Sequence, residues 1–139
     1  MDLEQALAWA SEKNHGILIT IRKDGRAQSS DISFTLIDQK FCISATASRA
    51  KTQNLLRDER AVLHITSPET WSYVSFDGKV EVTPTAQTLN DEINKELAEI
   101  YQRILGEEHP NWDEFQQAMI EDNRLVLRFV PHSAVGMLN

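Results

Sequence analysis

Cysteine is nearly absent: Cys42 is alone among 139 residues, which leaves no internal disulfide and no cysteine-rich metal knuckle. Glycine is scarce as well, with five residues. None of them builds a Gly-x-Ser-x-Gly elbow, a Walker A loop or a Gly-x-Gly-x-x-Gly turn, so those routes to an exposed nucleophile or a bound nucleotide are excluded. Four histidines, His15, His64, His109 and His132, are scattered without metal-ligand spacing to one another or to Cys42. No apolar run approaches the ~20 residues of a membrane helix. Positive charge is in deficit, 14 Lys and Arg against 21 Asp and Glu, for a net charge of −7. Such a surface repels nucleic acid and anionic membrane, and neither is expected as a partner. The opening stretch MDLEQALAWASEK has acids before its apolar residues and lacks a basic region ahead of an apolar core. A cytoplasmic protein is the simplest expectation. What remains is ordinary globular composition, 41% hydrophobic and 25% charged, at a length suited to one domain spanning residues 1–139.

Helical and strand periods alternate along the chain. Leu3, Ala6, Leu7 and Ala10 predict a short amphipathic helix over 3–13, ended by Asn14-His15-Gly16. Ile17 to Ile21 is a β-branched strand, and Lys23-Asp24-Gly25-Arg26 is a hairpin turn. Residues 27–37 alternate as one strand, with Ile32, Phe34 and Leu36 on one face. Asp38-Gln39-Lys40 turns the chain into a third strand, Phe41–Thr46. Ser48 to Asp58 reads as a helix with Ser48 as its N-cap. Ala61–Thr66 resumes as strand, and Tyr73–Thr83 follows as a longer strand with a bulge or bend at Asp77-Gly78. Leu89, Ile93, Leu97, Ile100 and Ile104 carry the strongest helical period, with Thr88 or Asn90 as cap and Gly106 past the end. Trp112, Phe115 and Met119 suggest a shorter helix. Leu125–Val130 is a last strand, ended by Pro131. About six strands with helices inserted is an α+β pattern dominated by an antiparallel sheet or barrel.

One segment breaks a local rule. Thr46-Ala47-Ser48-Arg49-Ala50-Lys51-Thr52-Gln53-Asn54-Leu55 runs from a strand end into a helix start with two cations in the first turn, against the helix dipole. An anion held by Ser48, Arg49 and Lys51 would resolve that conflict, because the free N–H groups there already favour one. Two solvated cations tolerated at modest cost are the competing account. Cys42 reads as a buried small hydrophobe, Trp9 and Trp112 as helix packing, and His64 as a hydrogen-bonded barrel residue.

In that order, the Asp24-Gly25-Arg26 turn, Gln28-Ser29-Ser30, the Ser48-Arg49-x-Lys51-x-x-Asn54-Leu55 element and Gly78-Lys79-Val80-Glu81-Val82 resemble the pyridoxamine-phosphate-oxidase-like split-barrel family. The likeness spans roughly residues 3–137 and is nearest to the flavin- or deazaflavin-dependent (coenzyme F-420) branch. It implies a mainly β, six-stranded antiparallel split β-barrel with two to four flanking helices. It also implies a homodimer with two cofactor sites at the subunit interface, and FMN or coenzyme F-420 as cofactor. Carried over, Arg49 and Lys51 would bind the cofactor phosphate, assisted by Thr46 and Ser48. Gln28, Ser29 and Ser30 would line the ring edge, and the Trp71–Ser75 segment would flank the ring or come from the partner subunit. No catalytic side chain is implied, since such cofactors carry the hydride chemistry themselves. Many members have proline where Asp31 stands here, and the arginine-rich C-terminal segment of true pyridoxamine-phosphate oxidases is missing. The alternative is a non-catalytic split barrel that binds flavin or haem as a sensor or carrier, or an interaction module that has lost its cofactor.

Overall fold

The computed structural model describes all 139 residues. Helix α1 (Leu3–Ala10) begins at Asp2, whose carboxylate accepts from the Gln5 amide at 3.1 Å, and it buries Ala6, Leu7 and Ala10. Strands β1 (His15–Ile21) and β2 (Ala27–Ser33) form the first hairpin, turned at Gly25 with φ of 87°, a conformation open to glycine at little cost. A short β3 (Thr35–Ile37) then pairs with β4 (Lys40–Thr46) through a turn in which Asp38 and Gln39 both have positive φ. Helix α2 (Ala50–Arg57) leads to β5 (Arg60–Ser67), and a 3-10 turn at Pro68–Thr70 to β6 (Ser72–Val82). Two helices, α3 (Glu92–Leu105) and α4 (Trp112–Glu121), precede the long β7 (Arg124–Met137). No helix is long and apolar enough to cross a membrane.

All seven strands belong to one antiparallel sheet ordered β2-β1-β5-β6-β7-β4-β3. The outermost strands, β2 and β3, are consecutive in the chain. The sheet therefore curls until its two ends meet at Phe34, the fully buried residue between them. The six strands expected become seven because the 27–37 segment bends at Phe34, whose N–H leaves the ladder to donate to the Asn14 carbonyl at 2.9 Å. The result is a mainly β split barrel with four helices.

Inward-facing residues of every strand fill the barrel. Phe41 lies at its centre, with ring centroids 5.1 Å from Phe34, 5.0 Å from Phe76 and 6.1 Å from Phe129, the spacing of favourable edge and tilted aromatic pairs. A second core forms outside, where Leu97, Ile100 and Phe115 of α3 and α4 cover Cys42 and Val126 on the outer face of β4 and β7.

Three local expectations are corrected. Ser48 does not cap α2; Arg49 occupies that position. Asp91, not Thr88 or Asn90, caps α3, its carboxylate accepting from the Asn94 amide at 2.8 Å. Pro131 does not end the last strand, which runs on to Met137. The pairing shifts at that point, Gly78 opposing Pro131 while Asp77 opposes Ser133, so His132 is the extra residue of a bulge. The irregularity expected at Asp77-Gly78 is thus present, and a proline is accommodated in it.

Candidate functional site

Four elements converge at the start of α2. Strand β2 contributes Gln28, Ser30 and Asp31, β4 ends on Thr46, and the first turn of α2 brings Arg49, Ala50 and Lys51. Arg124 opens β7, directly across from Thr46 in the β4–β7 register. These eight residues line a cavity of about 460 Å³. It sits on the seam of the barrel, because β2 pairs with β1 and β4 with β3 and β7, and no ladder joins β2 to β4.

The chain leaves β4 in a tight turn. The Ala47 N–H donates to the Asn123 carbonyl at 3.0 Å. The Thr52 hydroxyl donates to the Thr46 carbonyl at 3.0 Å, and the Gln53 amide to the Ala47 carbonyl at 2.9 Å. These bonds fix where α2 begins. The other three α-helices start with an Asp or Asn side chain accepting a first-turn N–H. Arg49, the N-cap of α2, makes no such bond, and no acid occupies the first turn. The N–H groups there have no intrahelical acceptor, and Ala50 and Lys51 of that turn line the same cavity as Arg49 and Arg124.

Arg49, Lys51 and Arg124 take part in none of the ion pairs of the structure. Burial lowers the Lys51 pKa from its ordinary value, and the neighbouring Arg49 and Arg124 charges lower it further. The Arg124 Nε is buried without a hydrogen-bond partner. Arg49 is exposed and Lys51 and Arg124 are half-buried, and partly desolvated cations without a partner carry a cost that an anion would offset. Asp31 also lines the cavity but forms no ion pair with the three cations, its carboxylate lying 3.3 Å from the His15 Nε2. The donor set of this cavity is that of a phosphate or carboxylate site.

A buried amide network supports the β2 side. Asn54, one α-helical turn after Lys51 and 6% exposed, donates through Nδ2 to the Thr20 hydroxyl at 3.1 Å and to the Gln28 Oε1 at 2.8 Å. Its Oδ1 accepts from the Arg57 Nη2 at 2.8 Å.

Of the residues singled out from sequence, Gln28, Ser30, Thr46, Arg49 and Lys51 come together in this cavity. Ser48 is exposed and outside the lining. Ser29 falls on the opposite face of β2 from Gln28 and Ser30. Trp71 and Ser75 lie on the outer face of the sheet. There Trp71 lines an apolar cleft of about 550 Å³ with His64, Pro68, Tyr73 and Met137, and the Ser75 hydroxyl is 3.2 Å from the His64 Nδ1. Cys42 is buried, its thiol pushed up to about 11 mainly by that burial and next by Glu96, as suits a core thiol. Arg124 was not singled out, because its place opposite Thr46 depends on strand register.

The sequence pattern of the pyridoxamine 5'-phosphate oxidase family matches residues 3–136. Among solved structures, a conserved hypothetical protein of Mycobacterium tuberculosis superposes with a TM-score of 0.76 at 20% identity, over 98% of this chain and 84% of that one. An F-420 reductase superposes with a TM-score of 0.70 at 15% identity, over 92% of this chain and 94% of that one. A haem storage protein of Vibrio cholerae gives 0.65 at 14% identity, over 97% and 94%. At these identities the three structures attest the fold, while the sequence match extends over nearly the whole chain and takes in every residue of the cavity. The chain belongs to the pyridoxamine 5'-phosphate oxidase family.

Proposed function

We propose that this protein is an oxidoreductase that holds a flavin-type cofactor, FMN or coenzyme F-420, and acts on a small conjugated substrate. The observation that carries the reading is the cluster of Arg49, Lys51 and Arg124, unpaired with any acid, around one cavity at an uncapped helix start. The residues fit the group: the orphaned Arg124 Nε and the open first-turn N–H groups lack what a phosphate supplies. Arg49 and Lys51, with Arg124, would anchor the phosphate, Thr46 would assist through its hydroxyl, and Gln28 and Ser30 would border the ring. When bound, such a cofactor supplies hydride transfer. The side chains bind and orient, and no nucleophilic side chain is required.

A homodimer accompanies this reading. The outer face of β5, β6 and the far half of β7 carries Trp71, 81% exposed, with Tyr73, Val135 and Met137 also open to solvent. A second copy against this face would bury that patch and bring its Trp71–Ser75 segment toward the site. A haem carrier is the second reading, favoured by the presence of His64 and Met137 in one apolar cleft, with the His64 Nε2 left free by the Nδ1 contact to Ser75.

The test is a titration of the purified protein with FMN, FAD, F-420 and haem, followed by absorbance and fluorescence. Saturable binding of one flavin-type cofactor is expected. Lys51→Ala should weaken it about 10- to 100-fold, the value of a charge-assisted contact, and change turnover at saturation little. Cofactor affinity untouched by that substitution would remove the anchor assignment. Binding of haem alone, lost in His64→Ala, would replace the proposal with the second reading.

A further inference from the structure

We infer that Asn54 is a positioning residue that holds the Gln28 side chain as a hydrogen-bond donor toward the ligand, so that the group bound over β2 is an acceptor such as a ring carbonyl. The nature of the ligand rests on the proposed cofactor reading, whereas the polarity follows from the protein itself. It can be read from one end of the network. A guanidinium has only donors, and the Arg57 Nη2 at 2.8 Å makes the near atom of the Asn54 amide its oxygen. The Asn54 nitrogen then faces Thr20 and Gln28. An amide nitrogen only donates, so Gln28 has to answer with Oε1.

What remains to Gln28 is Nε2, which has two N–H groups and no partner within the chain, on a residue that lines the cavity. Rotating the Gln28 amide by half a turn would set N–H against N–H across 2.8 Å. Asn54 is 6% exposed and Thr20 fully buried, so water has little room to relieve that clash. The site is thereby polarised: an acceptor over β2 is paired, and a donor there is not. The same reasoning explains the spacing of Lys51 and Asn54. Three residues apart, they share one helix face, so a single turn of α2 carries the phosphate anchor and the residue that orients the ring edge.

The experiment uses the full chain and a double-mutant cycle. Asn54→Asp keeps the shape and the Arg57 contact but can only accept, which obliges Gln28 to turn its oxygen to the cavity. Gln28→Met removes the donor without adding charge. FMN and riboflavin are the probes, with inorganic phosphate as the probe of the cation cluster alone. Each single variant is expected to weaken FMN and riboflavin by at least about tenfold and to remove the shift of the flavin absorbance band on binding. Phosphate affinity should stay within about threefold. The double variant should be no worse than Gln28→Met alone, because Asn54 acts only through Gln28. Additive losses, or wild-type flavin affinity in both variants, would overturn the inference and leave the cofactor reading standing. Failure of the wild type to bind FMN, riboflavin or F-420 would overturn the cofactor reading instead. Side-chain amide hydrogen exchange in the ligand-free protein then decides the inference: a protected Asn54 amide with a freely exchanging Gln28 amide supports it, and the reverse pattern overturns it.

Discussion

Replacing Arg124 by methionine should stabilise the free protein while weakening its hold on anions. In the ligand-free chain, the Arg124 Nε is buried without a partner, which costs about 1–3 kcal/mol. Its charge also adds to those that depress the Lys51 pKa. Methionine keeps an apolar stem beside Ile104 and Met119, which line a neighbouring cavity with Arg124, and it removes both penalties. A net gain of roughly 1–2 kcal/mol is expected, or about 3–6 °C in Tm for a domain of this size. Binding should move the opposite way. Loss of a charged donor to a phosphate costs about 1.5–3 kcal/mol, or roughly 10- to 150-fold in affinity. Thermal unfolding by circular dichroism, paired with titration of FMN and of inorganic phosphate, measures both signs on one sample. The stability gain should shrink in about 0.5 M salt, where repulsion among the cations is screened. An Arg124→Met protein that melts lower and binds as tightly as wild type would refute the assignment, making Arg124 a structural residue.

Three further outcomes are expected. Burial favours the protonated Cys42 thiol in the folded state, so its contribution is fully present below the ordinary thiol pKa and is lost as pH rises through the window up to about 11. The denaturation midpoint of wild type should therefore fall across that window more than that of Cys42→Ala, and parallel profiles would contradict this. Lys51 acts with the opposite sign, since its lowered pKa means that stability rises as it deprotonates, so the comparison belongs in a Lys51→Met background. Gly78→Ala would drive a Cβ into the Val130 carbonyl oxygen, where backbone has to move. A loss of about 3 kcal/mol by urea denaturation is expected, and a change under about 0.5 kcal/mol would show that the bulge relaxes freely. Val135→Glu on the exposed face should leave protomer stability within about 0.5 kcal/mol and halve the mass seen by light scattering. An unchanged dimer mass would locate the interface elsewhere, and a monomeric wild type would remove the dimer proposal.

Periodicity exposed most of the architecture. The intervals from Ile93 to Ile104 mark α3, and the alternation in 27–37 marks strand. The break at Phe34 was hidden because Ile32, Phe34 and Leu36 continue one alternating face, and the bend comes from closing the sheet. Pro131 misled for a related reason: proline stops a strand that needs its N–H, but here it stands at a bulge. In the site, Arg49 and Lys51 stood out because they oppose the helix dipole. Arg124 bears no comparable local mark, lying 78 residues from Thr46 in sequence (124 minus 46) and beside it only through the β4–β7 register. Gln28 is legible through the Gln28-Ser29-Ser30 run, yet the orientation of its amide depends on Asn54 and Arg57, and side-chain networks of this kind leave no periodic trace in a sequence.

The seam between β2 and β4 has a mechanical meaning. A closed barrel owes its stiffness to an unbroken ring of backbone hydrogen bonds, and here the ring is completed by a single stretch of chain bent at Phe34 rather than by a ladder. The cavity occupies that gap, with Gln28, Ser30 and Asp31 on one bank and Thr46, Arg49, Lys51 and Arg124 on the other. An anionic ligand that grips both banks is therefore a clasp. It holds the two ends of the sheet together where the backbone does not, so occupancy and rigidity rise together, and β2 is the strand whose amides would slow most in exchange once the clasp is shut.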